Sequence, residues 1–540
     1  MPNSHSETTH WLPAGLFSPG TEEEWKALIL KELKGLPFEK VLSSTLEGEE
    51  IQPFYTEASE SKIPYLQHSD WFGFIREENP AYLRILQTLN PNVSEPFETD
   101  FSADEMCWVI QEESAIEALT SVAHSHVDIR LPYSEGIRAA ILSRGIKGFA
   151  DWRAESTPLS MSWPKDFRPY SFSARPYHLS GSNAIQEIAF VLHDFVCWAD
   201  QVTEQEGVPL FTILPFVHFR FSLGPDLLSG MALIRAFRGL YFQLLKKYQI
   251  EQPESPVILA DASLRFYTSL DANNNLLRAG SAGMAAMSTG CAGFEAWPFS
   301  GKAPQAFANR MNRNLIRLMR EESYVSYTAD PLGGAWALEN LTWNRMLAAE
   351  QLLQACETNL SQLASFKQAQ IRASRTQMED LVATGRLNLI GVNLHADLSQ
   401  EAEGLYHFDG MPDKVFRLAA PFETLQLQGR TLPGYRFHFT CAEKDCQARA
   451  DFVKQFMSVC GLKQSDHPEA LWVLCGKDED YTTSAVLQTL NETKASRIWI
   501  LAGNPKEGKE LLENAGVQNF IHLQSNRVNT AQMLHKWLSA

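Results

Sequence analysis

One short stretch near the end of the chain combines residue types that could do chemistry. The segment FHFTCAEKDCQARADF, residues 437–452, is predicted to form a strand, a short loop and the start of a helix. In an open α/β sheet, ligands bind at the loops that follow the carboxyl ends of the strands. The loop from Cys441 to Cys446 carries two thiols, two carboxylates and one amine, so it is the first candidate for a ligand site.

The individual side chains of this stretch have simpler interpretations. Asp445 is predicted to be the N-cap of the following helix, a position that acidic side chains often fill. Cys446 begins the same helix, either as an ordinary residue or as a thiol whose pKa is depressed by the helix start. His438 lies within the strand, so it should point to the face opposite Phe437 and Phe439 and pack or hydrogen bond there.

Two other motifs suggest chemistry less strongly. The pair in HSH, His124 and His126, would face the same way on a strand, but no neighbouring Asp, Glu or His completes a metal motif. The turn DPLGGAW, residues 330–336, is not followed by Lys-Ser/Thr and is therefore interpreted as a tight turn, not a phosphate cradle. The 8 cysteines are dispersed without a CxxC pair, which favours reduced thiols over disulfides or a metal site.

Composition excludes some partners. The formal net charge of -17 repels a phosphate backbone, and no block rich in Lys and Arg stands out, so nucleic acid is not an expected partner. The first residues lack the basic and apolar regions of a secretory signal. No apolar run reaches the ~18 residues that span a bilayer. We therefore expect a cytoplasmic protein.

The elements that must position these residues fall into four predicted segments. Residues 1–64 form an arm whose helix begins with a capping box, Thr21 with Glu24, and ends near Gly35. Residues 65–400 alternate apolar strands such as MCWVI and SPVILAD with helical periodicity, as in a (β/α)₈ barrel, with a doubly wound sheet as the rival. Residues 401–430 are predicted to be a turn-rich linker. Residues 431–540 repeat strand and helix four times, which predicts a flavodoxin-like domain.

Several long motifs in order resemble the methylmalonyl-CoA mutase family, and within it the small, noncatalytic subunit of the heterodimeric form. The arm segment EWKALILKELKGLPFEKVLSSTLEGEEIQPFYTE is similar to the family's N-terminal segment. Residues 264–299 resemble a central barrel motif of the small subunits, and residues 308–342 match the Arg-Asn, Glu-Glu-Ser and Asp-Pro-x-Gly-Gly signatures. RLNLIGVN, residues 386–393, is similar to the close of the barrel domain.

The resemblance implies a fold and a cofactor. The fold would be an N-terminal arm, a TIM barrel that encloses an acyl-CoA, a linker, and a flavodoxin-like domain of the cobalamin-binding type. The family reaction interconverts methylmalonyl-CoA and succinyl-CoA with radicals from adenosylcobalamin, so the cofactor carries the hard chemistry. In the active subunit an Asp-x-His-x-x-Gly loop ligates cobalt.

This sequence departs from the family's functional residues. The corresponding loop, CAEKDCQAR, has neither histidine nor glycine, and Lys444 places a positive charge where cobalt is expected. The Ser-x-Leu segment is replaced within CGKDEDYTTSAV, residues 475–486, and the Gly-Gly turn is reduced to AGNP, residues 502–505. The Tyr-His pair is retained as Tyr177 and His178, but the Gln-Glu that follows it and the Arg-Pro-Trp-Thr motif are missing.

The sequence is therefore interpreted as a noncatalytic small subunit. Tyr177 and His178 are expected to be structural remnants, no metal site is predicted, and adenosylcobalamin and the acyl-CoA site are expected on the partner large subunit. Two alternatives stay open: a competent acyl-CoA mutase with a divergent site, and a noncatalytic homodimeric binding module.

Overall fold

The architecture was determined from a computed structural model. It describes residues 21–56, 63–76, 83–88, 106–111, 126–160, 162–328, 330–399, 406–408, 411–412, 414–505 and 507–539.

The arm begins with helix α1 (Glu22–Glu32), and its capping box is confirmed. The Thr21 hydroxyl accepts from the Glu24 amide at 3.2 Å, and the Glu24 carboxylate accepts from the Thr21 amide at 3.0 Å. No residue of α1 is buried. The chain then forms two short antiparallel strands, Ser43–Ser44 and Glu50–Ile51.

The described part of the central region contains a closed barrel of eight parallel strands, which excludes the rival open sheet. Its strands are β1 (Arg84–Thr88), β2 (Met106–Ile110), β3 (His126–Ile129), β4 (Lys147–Arg153), β5 (Phe167–Ser173), β6 (Val217–Leu223), β7 (Ile258–Ala262) and β8 (Gly293–Glu295).

The apolar run FTILPFVHFRFSL, residues 211–223, is predicted from its composition to be a strand. In the structure it forms a strand only in its second half. The strand is β6, while residues 210–216 form helical turns. Pro209 and Pro215 explain the difference, because proline has no amide hydrogen to donate to a strand ladder.

Helices surround the barrel and bury one face against it. The apolar spacing of residues 226–248 predicts a long helix, and the structure has one there, α7 (Leu227–Lys247). It places Phe237 and Tyr241 against the strand residue Phe219, with ring centroids 4.8 and 5.1 Å away. The described helices of this region are α2 (Ser69–Arg76), α3 (Glu135–Arg144), α4 (Arg175–Ser180), α5 (Ala184–Asp200), α6 (Leu210–Ile213), α7 (Leu227–Lys247), α8 (Asn274–Ser288), α9 (Gln305–Arg317), α10 (Trp336–Thr358) and α11 (Leu363–Ala383).

The end of the predicted linker is helical. Ala420–Gly429 forms α12, so the expectation of a turn-rich connector through residue 430 is wrong for this part. Leu425 of α12 joins the core of the following sheet, and Phe422 joins a smaller core with Phe266. The burial of apolar residues of α12 against distant parts of the chain stabilises this helix, although the nearby glycines and prolines predicted turns. The predicted domain boundaries at residues 64, 400 and 430 remain predictions.

The C-terminal region contains a parallel sheet in the order β9 (Tyr435–Phe439), β10 (Leu471–Cys475), β11 (Trp499–Ala502), β12 (Val517–Ile521). A single parallel bridge places Gln464 beside Tyr435, on the edge of β9 away from β10. An edge segment followed by the four strands matches the flavodoxin-like order 2-1-3-4-5, with the second strand reduced to one bridge. The helices are α13 (Gln447–Val459), α14 (Ser484–Thr493), α15 (Lys509–Ala515) and α16 (Arg527–Leu538).

Among the helices described, none is both long and apolar enough to cross a membrane.

Gly148, at the start of β4, offers a test of the barrel. Its φ is +125°, and a Cβ there would lie 2.0 Å from the Val127 carbonyl oxygen of β3. Gly148→Ala should therefore lower the free energy of unfolding by more than about 3 kcal/mol, measured by urea denaturation. Gly145→Ala is the matched control, because its φ is +59° with nothing within 4 Å, and should cost only about 1 kcal/mol. Equal effects of the two substitutions would contradict the close packing of β3 on β4.

Candidate active site

Charged side chains fill the interior of the barrel. Asp128 of β3 accepts hydrogen bonds from both Nη atoms of Arg220 of β6 and from Nε of Arg130, the last at 3.0 Å. Arg130 in turn donates two hydrogen bonds to Glu295 of β8, at 3.2 and 2.7 Å. Nε of Arg220 lies 3.1 Å from Oδ1 of Asp151 of β4. These five residues, hereafter the barrel ladder, connect four strands across the barrel.

The charges of the barrel ladder are mutually fixed, and three of its five residues are buried, whereas Arg130 and Asp151 are partly exposed. Asp128 is completely buried, and Arg220 and Glu295 are nearly so. Burial alone would raise the pKa of Asp128, but Arg220 and Arg130 outweigh that effect and hold its pKa well below the usual range. Burial and the neighbouring Arg220 lower the pKa of His218 to about 3, so this imidazole is neutral and accepts from Nε of Arg220 at 3.2 Å.

The retained Tyr177 and His178 do not form one site. The Tyr177 hydroxyl donates to Asp194 of α5 at 2.7 Å and accepts from Lys367 of α11 at 3.1 Å. Its ring packs edge-on against Phe190 of α5 at 5.3 Å. Tyr177 therefore faces the surrounding helices and not the barrel interior.

His178 points the other way, into a buried cluster. Its Nδ1 lies 2.8 Å from Oε1 of Glu187, and its Nε2 lies 2.6 Å from the Ser263 hydroxyl, which follows β7. Burial raises the pKa of Glu187 to about 8, and burial with Arg265 lowers the pKa of His178 well below its usual value. A neutral histidine beside a protonated carboxyl results, with both ring nitrogens engaged.

A cavity of about 250 Å³ opens beside the ends of β1 and β8. Gln87, Glu295 and Asn312 contribute polar groups, and Trp297 and Phe408 contribute aromatic rings. Neither Tyr177 nor His178 lines it. The carboxyl ends of barrel strands are the usual location of an active site. The motifs in the sequence did not indicate this cavity, and the only signal for it was the polar residues at the strand ends.

The C-terminal loop differs in detail from its prediction. The N-cap of α13 is Cys446, without a side-chain capping bond, so the assignment of Asp445 as N-cap is wrong. Asp445 instead ends a 3₁₀ turn, Glu443–Asp445, whose own hydrogen bonds displace the helix start by one residue. Burial raises the pKa of the Cys446 thiol, the opposite direction to the depression that a helix start would produce.

His438 occupies the predicted face of β9. Its ring meets Trp499 edge-on at 5.4 Å, whereas Phe437 and Phe439 stack on each other at 4.9 Å. Burial lowers the pKa of His438, so it is a neutral, packed imidazole away from the loop.

An arginine spans the carboxyl edge of the C-terminal sheet. Nη1 of Arg449 from α13 donates to the Gly476 carbonyl at 2.6 Å, to Asp478 at 2.9 Å and to the Tyr481 hydroxyl at 2.9 Å. The Tyr481 hydroxyl donates to the Ala502 carbonyl at the end of β11 at 2.7 Å. Arg449 and Tyr481, hereafter the edge clamp, join the loops that follow β10 and β11, where CGKDEDYTTSAV and AGNP replace the family's sequences.

The remaining motifs acquire structural positions. In HSH, His126 begins β3, whereas His124 lies outside the described residues. In DPLGGAW, the Gly334 amide donates to Glu339 at 2.6 Å, and Glu339 also pairs with the buried Arg235 at 2.5 Å, so the turn is anchored to the protein itself. Among the residues that the structure describes, no group of three His, Cys, Asp or Glu side chains could hold a metal ion.

Asp128→Asn should test the barrel ladder. The substitution leaves the buried Arg220 and Arg130 without their shared carboxylate, so the free energy of unfolding should fall by about 3–5 kcal/mol in urea denaturation. Asp166→Asn is the control, because Asp166 pairs with Lys147 at 3.7 Å in an exposed position and should change stability by less than about 1 kcal/mol. A loss for Asp128→Asn no larger than for this control would refute the buried network.

Comparison with known proteins shows which family the chain resembles. A family model described as Methylmalonyl-CoA mutase matches residues 153–415. The chain is 24% identical to the methylmalonyl-CoA mutase small subunit of Porphyromonas gingivalis, over 95% of this chain and 96% of that protein.

Two further relatives match over shorter regions. The chain is 29% identical to a probable methylmalonyl-CoA mutase small subunit of Mycobacterium bovis, over 48% of this chain and 43% of that protein. It is 25% identical to the methylmalonyl-CoA mutase of Escherichia coli, over 41% of this chain and 32% of that protein. These two alignments cover less than half of each relative, whereas the first runs through barrel and C-terminal sheet alike. By this family model and these relatives, the chain is similar to the methylmalonyl-CoA mutases.

Proposed function

We propose that this chain is the small subunit of an adenosylcobalamin-dependent methylmalonyl-CoA mutase. It supports the interconversion of methylmalonyl-CoA and succinyl-CoA by a partner large subunit, and contributes structure to the complex while the partner carries the chemistry. The relative aligned over nearly the whole chain bears the name small subunit, and another relative is named large subunit.

The barrel ladder is the observation that carries this proposal. A barrel that encloses an acyl-CoA needs free space along its axis, and here paired charges from four strands occupy the interior. Making room for a substrate along the barrel axis would break the ion pair of Asp128 and Arg220. In the low-dielectric interior, an unpaired charge costs several kcal/mol of folding free energy. The barrel therefore favours a structural role over substrate binding.

The retained Tyr-His pair supports the same role. The Nε2 of His178 is hydrogen-bonded to the Ser263 hydroxyl and its Nδ1 to Glu187, so neither nitrogen is available to a substrate carbonyl. Tyr177 is held by Asp194 and Lys367 on the outer helices. A catalytic group must reach the reacting atoms, and neither side chain is placed to do so.

The C-terminal sheet does not fit a cobalt-bound cofactor. Imidazole is the ligand that the family resemblance implies, and the one histidine of this stretch, His438, is packed against Trp499. Lys444 places a positive charge on the loop, and the hydrogen bonds of the edge clamp hold the neighbouring loops together. These features support the proposal that the partner subunit binds adenosylcobalamin.

The arm is suited to contact a partner. Its two short strands are fixed to the barrel, because the buried Arg345 of α10 binds Glu49 at 2.6 Å and Glu47 at 3.3 Å. Helix α1, in contrast, leaves Leu28 and Leu30 exposed by 59% and 47%. Obligate interfaces often bury more than about 2,000 Å², and an anchored arm with an apolar helix could supply part of such an area.

Co-expression with a methylmalonyl-CoA mutase large subunit tests the proposal. The chain purified alone should show no visible corrinoid absorption and no isomerase activity. The pair should copurify as an active heterodimer in native mass spectrometry, with the corrinoid on the large chain. A stoichiometric corrinoid on the lone chain would instead establish a competent mutase with a divergent site. A homodimer that ignores the large chain would establish the self-standing binding module.

The arm's contribution can be measured separately. Leu28→Asp places a charge on the exposed apolar side of α1, so it should weaken association with the large subunit at least tenfold, since burial of a Leu side chain is worth about 2 kcal/mol. The thermal midpoint of the isolated chain should not change, because Leu28 is exposed. Lys31→Ser on the same helix is the control and should leave the dissociation constant nearly unaltered. Unchanged affinity for Leu28→Asp would remove α1 from the interface.

A further inference from the structure

Three of the cysteines converge at the carboxyl edge of the C-terminal sheet. Cys441 lies in the loop after β9, Cys446 is the N-cap of α13, and Cys475 is the last residue of β10. They pack in one cluster with Phe437 and Phe439. The proposed subunit role uses none of these thiols.

The three thiols are close neighbours. The Cys446 thiol interacts electrostatically with the thiols of both Cys441 and Cys475. The 3₁₀ turn folds the loop back on itself, and Sγ of Cys446 lies 3.6 Å from the carbonyl oxygen of Ala442, the neighbour of Cys441. The turn therefore brings Cys446 into the same cluster as Cys441, although they are five positions apart in sequence.

Exposure differs among the three thiols. Cys441 is partly exposed, Cys446 is 6% exposed and Cys475 is completely buried. A reagent from solvent therefore meets Cys441 first, Cys446 is in contact behind it, and Cys475 is shielded. An accessible thiol next to a second thiol is the arrangement of a disulfide-forming pair.

We propose that Cys441 and Cys446 form a thiol–disulfide exchange site that is oxidised by low-molecular-weight disulfides such as oxidised glutathione. The proposal does not depend on the subunit role.

The exchange balances in two steps. The Cys441 thiolate attacks one sulfur of the reagent, which forms a mixed disulfide and releases one reagent thiol. Cys446 then loses its proton to water and attacks the Cys441 sulfur, which forms the Cys441–Cys446 disulfide and releases the second reagent thiol. Two protein thiols are oxidised and one reagent disulfide is reduced to two thiols.

Burial sets the rate of the second step. Because burial raises the pKa of the Cys446 thiol, little of it is thiolate at neutral pH, and closure of the disulfide should accelerate as pH rises from about 7 to 8.5. The product would tie the end of β9 to the start of α13 beside the edge clamp.

Peptide mapping provides a direct test, because Lys444 separates the two cysteines. Trypsin places Cys441 on peptide 437–444, Cys446 on peptide 445–449 and Cys475 on peptide 464–477. The full-length reduced chain is incubated with oxidised glutathione, alkylated, digested and analysed by mass spectrometry. Peptides 437–444 and 445–449 should appear linked by a disulfide that dithiothreitol reverses.

Two variants and an internal control sharpen the result. Cys446→Ser should trap glutathione on Cys441, and Cys441→Ser should leave Cys446 and Cys475 unmodified. Cys197, an exposed thiol on α5, reports that the reagent is active by accumulating a glutathione adduct.

Three outcomes would overturn the proposal. The first is a stable glutathione adduct on Cys441 in the unaltered chain. The second is a crosslink from Cys446 to peptide 464–477. The third is an unmodified Cys441 in a sample whose Cys197 has reacted.

Discussion

The paired charges of the barrel ladder are the constraint on which the rest of the barrel depends. Asp128, Arg220 and Glu295 are buried, and buried charges are tolerated only when partners of opposite sign satisfy them. The pairs join strands that lie 92 residues apart in sequence for Arg220 and Asp128, and 165 for Arg130 and Glu295. They fix the relative positions of four strands.

At the carboxyl edge of the C-terminal sheet, polar side chains are likewise fixed by hydrogen bonds within the protein. Arg449 and Tyr481 use their hydrogen bonds on Gly476 and Ala502, at the edge where a flavodoxin-like fold binds its ligand. The fold persists because its stability comes from the cores on both faces of the sheet, which involve different residues from the carboxyl edge. The residues that hold the sheet together are thus separate from those at its carboxyl edge.

The arm connects these two observations to an assembly. Arg345, completely buried, fixes Glu47 and Glu49 to α10, so the arm is part of the barrel's own structure at one end. At the other end, α1 exposes the apolar side chains of Leu28 and Leu30.

The sequence alone determined features that depend on near neighbours. The Thr21 capping box, the amphipathic α7 and the strands of the C-terminal sheet follow from local spacing, and the missing histidine of the Cys441–Cys446 loop follows from composition. Local signals failed at Asp445, where a competing turn moved the helix start to Cys446, and at α12, whose burial against distant residues no local pattern records. Periodicity alone left a closed barrel and an open sheet as alternatives, the family resemblance implied the barrel, and the structure confirms it. The barrel ladder and the thiol cluster were decided only by the tertiary structure. The physical reason is that each joins residues far apart along the chain, and strand pairing, charge pairing and burial depend on distance in space.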